Sequence, residues 1–241
     1  GEIRLGIYGN EDPMYILAGL PFIAPDYSSA WLLKDVQMGY LQDKFAKKGL
    51  MILYTSPWPG QGFYTKTPVN SVADFKGKKL RIYSTATQQM GSMLGFNATI
   101  LPFAEIPQAF STGLIEALFT SPQTGIDIQA WDNTKHFTYA GAIFSKNAVV
   151  VSKKAFNALS KDDQSNILAA AKRAELRGWE MSADTTKKQI DILKKNGMSA
   201  KNAPDEVISK MKSIGLEMMK NWRSKASPEA NAVLDRYLSM R

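Results

Sequence analysis

The chain contains no cysteine and a single histidine. The first absence excludes a disulfide framework, a thiolate metal site and a cysteine nucleophile. The second removes paired-histidine metal motifs and leaves any serine triad dependent on His136 alone. That residue lies in the polar run Asp132-Asn-Thr-Lys-His-Phe, which reads as a loop or helix end with a structural or surface histidine. Arginine is scarce: of 30 basic residues seven are Arg and the other 23 Lys. The lysines fall in small scattered groups such as Lys47-Lys48, Lys78-Lys79 and Lys187-Lys188. Without clustered Arg or a reading motif, the net charge of +8 reads as solvated surface, and no nucleic-acid partner is expected. A second reading of that charge is a field that draws anionic solutes toward a cleft. No apolar run approaches the roughly 20 residues that a membrane-spanning helix needs, and nothing repeats at a fixed period.

What the chain does have is apolar content. Of its 241 residues 44% are hydrophobic, enough to bury a core sized between one large domain and two small ones. Short β-branched runs such as Met51-Ile-Leu-Tyr and Ala148-Val-Val-Val alternate with longer helical patterns, which indicates α/β architecture with parallel or mixed sheets. Glu2-Ile-Arg-Leu-Gly-Ile reads as a strand with no polar leader before it, so a cropped or processed start is expected. Residues 28–48 carry the apolar spacing of an amphipathic helix, with Trp31, Val36, Tyr40, Leu41 and Phe45 inward. A strand over 50–55 leads into Ser56-Pro-Trp-Pro-Gly-Gln-Gly-Phe, a breaker-rich loop expected to display Trp58 and Phe63 as a hinge or ligand wall. Beyond it the pattern predicts strands over 79–83, 114–120 and 148–152. Helices are predicted over 84–94, from Phe103 to near Gly113, from the Ser160 cap to about Asn196, and twice within 205–241.

Within the strand over 79–83 stands Arg81, flanked by Leu80 and Ile82 and preceded by Phe75. A guanidinium held among apolar side chains needs an anionic partner. A bound carboxylate fits, because the planar fork meets it with two parallel hydrogen bonds. Asp74 and Glu105 are the alternative partners within the chain. The helix that follows Arg81 is expected to aim its free N–H groups at the same anion.

Three stretches around this arginine resemble the solute receptors of tripartite ATP-independent periplasmic (TRAP) transporters, the DctP-type family. Pro68 through Ile82 is similar to that family's linker followed by Asp-Leu/Phe-Lys-Gly and Lys-Leu-Arg-Val. Pro102-Phe-Ala-Glu-Ile is similar to its Pro-Met/Phe-x-Glu segment, and Gly113-Leu-Ile-Glu-Ala to its Gly-Val-Val-Asp-Gly turn. The resemblance covers nearly the whole chain. It implies a two-lobed periplasmic binding protein of the type II-like kind, which closes on a ligand in its cleft and delivers it to the small and large membrane subunits of a permease. It further implies a periplasmic location, no cofactor, no metal, no catalysis and no insertion into the membrane. On such a fold residues 1–58 and 147–186 belong to the first lobe and 59–146 to the second, with 187–241 adding to the second lobe and spanning both.

The resemblance places Arg81 on the family's carboxylate-binding arginine, Phe103 on a ligand-packing aromatic and Thr120 on a polar contact that is usually Asn. The loop of Tyr8, Asn10 and Glu11 falls on the segment of the other lobe that touches the ligand. Trp58, Tyr83 and Phe144 join Phe103 as a candidate apolar wall, and Ser121 and Asn147 are further candidate contacts. Thr67, beside Lys66, stands where many members carry a second arginine. Together with Thr120 this points to a monocarboxylate, or an acid whose other end is uncharged. The family's first strand, first helix and second strand have no counterpart, so the first lobe is expected to carry unpaired strand edges. Two other readings stay open. An enzyme on a two-lobed fold lacks a visible base or nucleophile, since Gly60-Gln-Gly62 is too short for a phosphate loop. An effector-sensing domain of a regulator needs a DNA-binding module that this sequence does not show.

Overall fold

The computed structural model describes residues 1–241. Its strands are β1 (Glu2–Arg4), β2 (Leu50–Pro57), β3 (Gly62–Thr65), β4 (Lys79–Ile82), β5 (Asn97–Ile100), β6 (Ala117–Thr120), β7 (His136–Tyr139), β8 (Lys146–Ser152) and β9 (Ser199–Asn202). They form two sheets. One is antiparallel with order β1-β8-β2, and the other is mixed with order β5-β4-β6-β3-β7-β9. In the second, β4 runs parallel to β5 and β6, and β7 parallel to β9, while β3 is antiparallel to both neighbours. The fold is the two-lobed α/β arrangement expected from the sequence.

The chain crosses between the sheets after β2 and returns after β7, and the two crossings are laced together. The backbone N–H groups of Ala140 and Gly141 donate to the carbonyl of Gln61, and the N–H of Trp58 donates to the carbonyl of Ser145. The helices are α1 (Tyr27–Lys47), α2 (Thr85–Met93), α3 (Ile106–Ser111), α4 (Pro122–Asp127), α5 (Lys153–Asn157), α6 (Lys161–Lys195), α7 (Asp205–Lys225) and α8 (Pro228–Ser239). Helix α6 is a third connection: it packs against β2 of the first sheet and, further along, against α4 and against β9 of the second. Helix α8 returns to pack on α1.

The helix starts follow their caps. Asp26 accepts from the N–H of Ser29 to open α1, and Ser160 from that of Asp163 to open α6. On α1 the buried positions are Ala30, Leu33, Lys34, Gln37, Leu41 and Phe45, with Trp31, Val36 and Tyr40 only partly covered.

Phe63 departs from the sequence reading. It is 0% exposed and packs among Phe75, Phe96 and Phe119 at ring-centroid distances of 4.7, 5.7 and 4.9 Å. The breaker-rich loop stops at Gly62, where β3 begins, and β3 is covered on both faces in its place between β6 and β7. A strand buried on both faces shows no alternation to separate it from the loop before it.

Candidate functional site

Where the crossings meet the ends of β4 and β6, the surface sinks into a cavity of about 370 Å³. Its lining holds three charged residues, Arg4, Arg81 and Asp127; four apolar or aromatic ones, Ile7, Trp58, Tyr83 and Phe103; and the polar set Gln61, Thr120, Ser121, Thr124, Ser145 and Asn147. Its size lies within the range of small-molecule sites.

Arg81 is 1% exposed. Its Nε and Nη2 donate to the carbonyl of Leu101 at 3.1 and 3.0 Å. A guanidinium has five N–H donors, so one edge of the fork is fixed by the backbone and the Nη1 end is left for the cavity. Neither Asp74 nor Glu105 pairs with it: Asp74 accepts from the N–H groups of Asn70 and Ser71, and Arg81 has no acidic partner within salt-bridge distance. Burial, with Arg4 as a second like charge, pushes the Arg81 pKa down to about 10. The protein therefore holds a cation under electrostatic stress, and an anion in the cavity would relieve it.

Arg4 was not among the residues the sequence singled out. It closes β1 opposite Asn147 of β8, its Nε is buried without a partner, and burial lowers its pKa too. The Tyr83 ring lies near both cations, 5.0 Å from the Arg4 guanidinium carbon and 6.0 Å from that of Arg81. An aromatic ring there offers each cation its negative π face. The Tyr83 hydroxyl donates to Gln61 Oε1 at 2.6 Å, and Gln61 Nε2 donates to Ser145 Oγ at 3.1 Å. Residues from both crossings thus fix the ring's position. Burial raises the Tyr83 pKa to about 12, so the phenol stays a neutral donor.

On the strand beside β4, Thr120 ends β6, and Ser121 caps α4 by accepting from the N–H of Thr124. Tyr64 supports them from below, its hydroxyl donating to the Ser121 carbonyl at 3.0 Å. This contact requires Gly125, because a Cβ there would stand 2.0 Å from the Tyr64 hydroxyl oxygen. Trp58 Nε1 donates to Asn147 Oδ1 at 3.2 Å, and Asn147 Nδ2 donates to Glu2. Phe103 is 50% exposed at the rim.

Of the eleven residues expected from the sequence, the structure brings Arg81, Thr120, Phe103, Trp58, Tyr83, Ser121 and Asn147 to this cavity. It does not bring Tyr8, Asn10, Glu11 or Phe144 there. Glu11 pairs with Lys48, Asn10 borders a separate recess with Thr85, Gln89 and Asn221, Tyr8 leans on Tyr15, and Phe144 packs edge-on against Tyr27. The start of α2 also turns elsewhere: Ser84 and Thr87 satisfy each other's backbone N–H groups, and Thr85 faces the recess of Asn10. Arg4, Ile7, Gln61, Thr124, Asp127 and Ser145 complete the lining without having been expected there from the sequence.

Fold and cavity together define a two-lobed binding protein with a cationic cleft. A family model described as bacterial extracellular solute-binding protein, family 7 (DctP), matches residues 3–225, and the chain belongs to that family. It is 26% identical over 198 residues to a solute-binding protein of Chromohalobacter salexigens, covering 78% of this chain and 58% of that protein. It is 25% identical over 190 residues to the 2,3-diketo-L-gulonate-binding periplasmic protein YiaO of Escherichia coli, covering 77% and 58%. The chain thus spans 58% of the length of each of these relatives. Among solved structures it superposes on DctP7 of Bordetella pertussis, an extracytoplasmic solute receptor binding pyroglutamic acid, with a TM-score of 0.95 and 38% identity. That match covers 98% of this chain and 79% of the other. A TRAP solute-binding protein from a marine metagenome, specific for pyroglutamate, matches with a TM-score of 0.93 and 32% identity, covering 99% and 79%.

Proposed function

We propose that this chain is the ligand-capturing part of a TRAP-transporter receptor. It takes up a small monocarboxylate with an uncharged remainder in the periplasm and presents it to a membrane permease without chemical change. The observation that carries this reading is Arg81, buried, bonded along one edge to Leu101 and open along the other to a cavity that holds a second unpaired arginine. A carboxylate accepts from the free end of the fork as from a preformed receptor. Trp58, Tyr83 and Phe103 cover the remainder, and the hydroxyls and amides of the lining orient it. The ligand of the Bordetella and metagenome receptors, a five-membered lactam acid with one carboxylate, has this chemistry and is the first candidate. Capture closes the lobes around the ligand and creates the surface that a permease reads.

A thermal-shift screen against monocarboxylates, dicarboxylates, sugar acids and the neutral amide of each hit tests the proposal. The expected result is a concentration-dependent stabilisation by a lactam or other small monocarboxylate, about 2.7 kcal/mol at a hundredfold excess over Kd, and none by its amide. Stabilisation by the amide as well as by the acid would overturn it, as would turnover of the acid.

A further inference from the structure

The three charged residues of the cavity do not cancel. Arg4 and Arg81 contribute two positive charges and Asp127 one negative, so the wall carries +1 and one carboxylate on the ligand neutralises it. A dicarboxylate would leave the cavity at −1, its second carboxylate sharing the lining with Asp127, and like charges juxtaposed in one site repel.

Asp127 is unusual among the acids of this protein in facing that space with no cation within salt-bridge distance. Its orientation is set. Gln123 Nε2 donates to Asp127 Oδ1 at 2.7 Å, and the Gln123 amide oxygen accepts from Gln189 Nε2 of α6 at 2.9 Å. Gln189 is buried and donates to Thr185 Oγ1 as well. Because the oxygen of Gln123 is engaged, its NH₂ must face the aspartate. Two amides therefore pin one carboxylate oxygen to the lobe-spanning helix and leave the other free to accept.

We propose that Asp127 is the specificity-determining residue of this cavity: its charge rejects dianionic acids, and its free oxygen accepts an N–H or O–H from the uncharged end of a monocarboxylate. This deepens the receptor reading above and rests on it. It assigns selectivity to the last residue of α4, in the same lining as the two arginines.

Titration calorimetry with pyroglutamate and with succinate, on the wild type, Asp127→Asn and Asp127→Ser, separates rejection of a dianion from acceptance of a hydrogen bond. The Asn variant removes the charge and, with its amide oxygen held by Gln123 Nε2, sets an NH₂ where the free carboxylate oxygen stood. The wild type is expected to bind pyroglutamate at least tenfold more tightly than succinate, and the variant to lower that ratio at least tenfold. Asp127→Ser, which removes the charge but keeps a hydroxyl acceptor, is expected to lower the ratio too while weakening pyroglutamate less than Asp127→Asn does. Asp127 is exposed and forms no ion pair, so both variants should melt with the wild type. If the wild type binds pyroglutamate and the ratio is the same in both variants, the role of Asp127 is wrong and the receptor reading stands. If the wild type binds succinate as tightly as pyroglutamate, or binds neither, both fall.

Discussion

Lys146 illustrates how a single residue ties the site to pH. It opens β8 between Ser145 and Asn147, which both line the cavity, and its ammonium has one partner, Gln37 Oε1 at 2.8 Å. Burial, with Lys34 as a second cause, pushes its pKa down to about 7 from 10.5. A base with a lowered folded-state pKa binds fewer protons folded than unfolded between those two values. Stability contributed by this residue therefore rises with pH from about 7 toward 10.5, by up to about 1.4 kcal/mol per unit. Below that window both states are protonated and the burial penalty is complete. The wild type should gain melting temperature relative to Lys146→Met between pH 7 and pH 9; parallel melting curves for the two proteins would exclude Lys146 as the proton-linked group. Arg81 and Lys146 differ in how visible they are. A lone arginine between Leu80 and Ile82 contradicts its surroundings and is legible in the sequence. Lys146 follows Ser145 and precedes a β-branched run, where a lysine is ordinary, and only the packing of α1 behind it buries the charge. Asp127, an exposed acid at the end of a six-residue helix, is invisible for the opposite reason: surface acids look the same whether or not they border a cavity.

Among elements, α4 depends most on one contact. Its backbone lies close enough to the Tyr64 phenol that position 125 admits no side chain, and the same phenol holds the Ser121 carbonyl. Gly125→Ala is expected to destabilise the fold by roughly 1–3 kcal/mol, as overpacking of a filled core does, and to weaken ligand binding because Ser121, Thr124 and Asp127 move with the helix. Paired denaturation and binding measurements check this; a stable variant with full affinity would show that the helix start adjusts freely. Two elements that the sequence reading omitted share a cause. β5 (Asn-Ala-Thr-Ile) and β9 (Ser-Ala-Lys-Asn) are the edges of the larger sheet, are mostly exposed, and are held by backbone pairing that polar side chains do not advertise. The long helix α6 was legible because Ser160 and the Asn196-Gly197 stop punctuate it at both ends. Its second role, carrying Gln189 to the back of Asp127, was not, because a helix face read from periodicity says nothing about which lobe covers it.

At the scale of the molecule the cavity exists because residues distant in sequence converge where the chain changes sheets. Arg4 and Asn147 come from the first sheet, Arg81 and Thr120 from the second, and Gln61 and Ser145 from the crossings between them. The two-lobed fold was readable from family resemblance, and a buried Arg81 from its apolar neighbours in the sequence. The approach of Arg4 to Arg81 was not, since 77 positions separate them and they stand on different sheets, Arg4 on β1 and Arg81 on β4. The same convergence explains why the loop of Tyr8, Asn10 and Glu11, expected at the ligand, stands off it: Glu11 is drawn to Lys48 and Asn10 to the recess beside α7.

If the free edge of the Arg81 fork holds a carboxylate, titration calorimetry of the wild type and of Arg81→Met with pyroglutamate will read the loss of that bond. Loss of one partner of a buried charge pair costs about 2–5 kcal/mol, so the variant should bind at least thirtyfold more weakly. Its ligand-free melting temperature should not fall, because the substitution removes a buried cation that lacks an acidic partner. Equal affinity in the two proteins, or a lost affinity accompanied by an unfolded variant, would contradict the account.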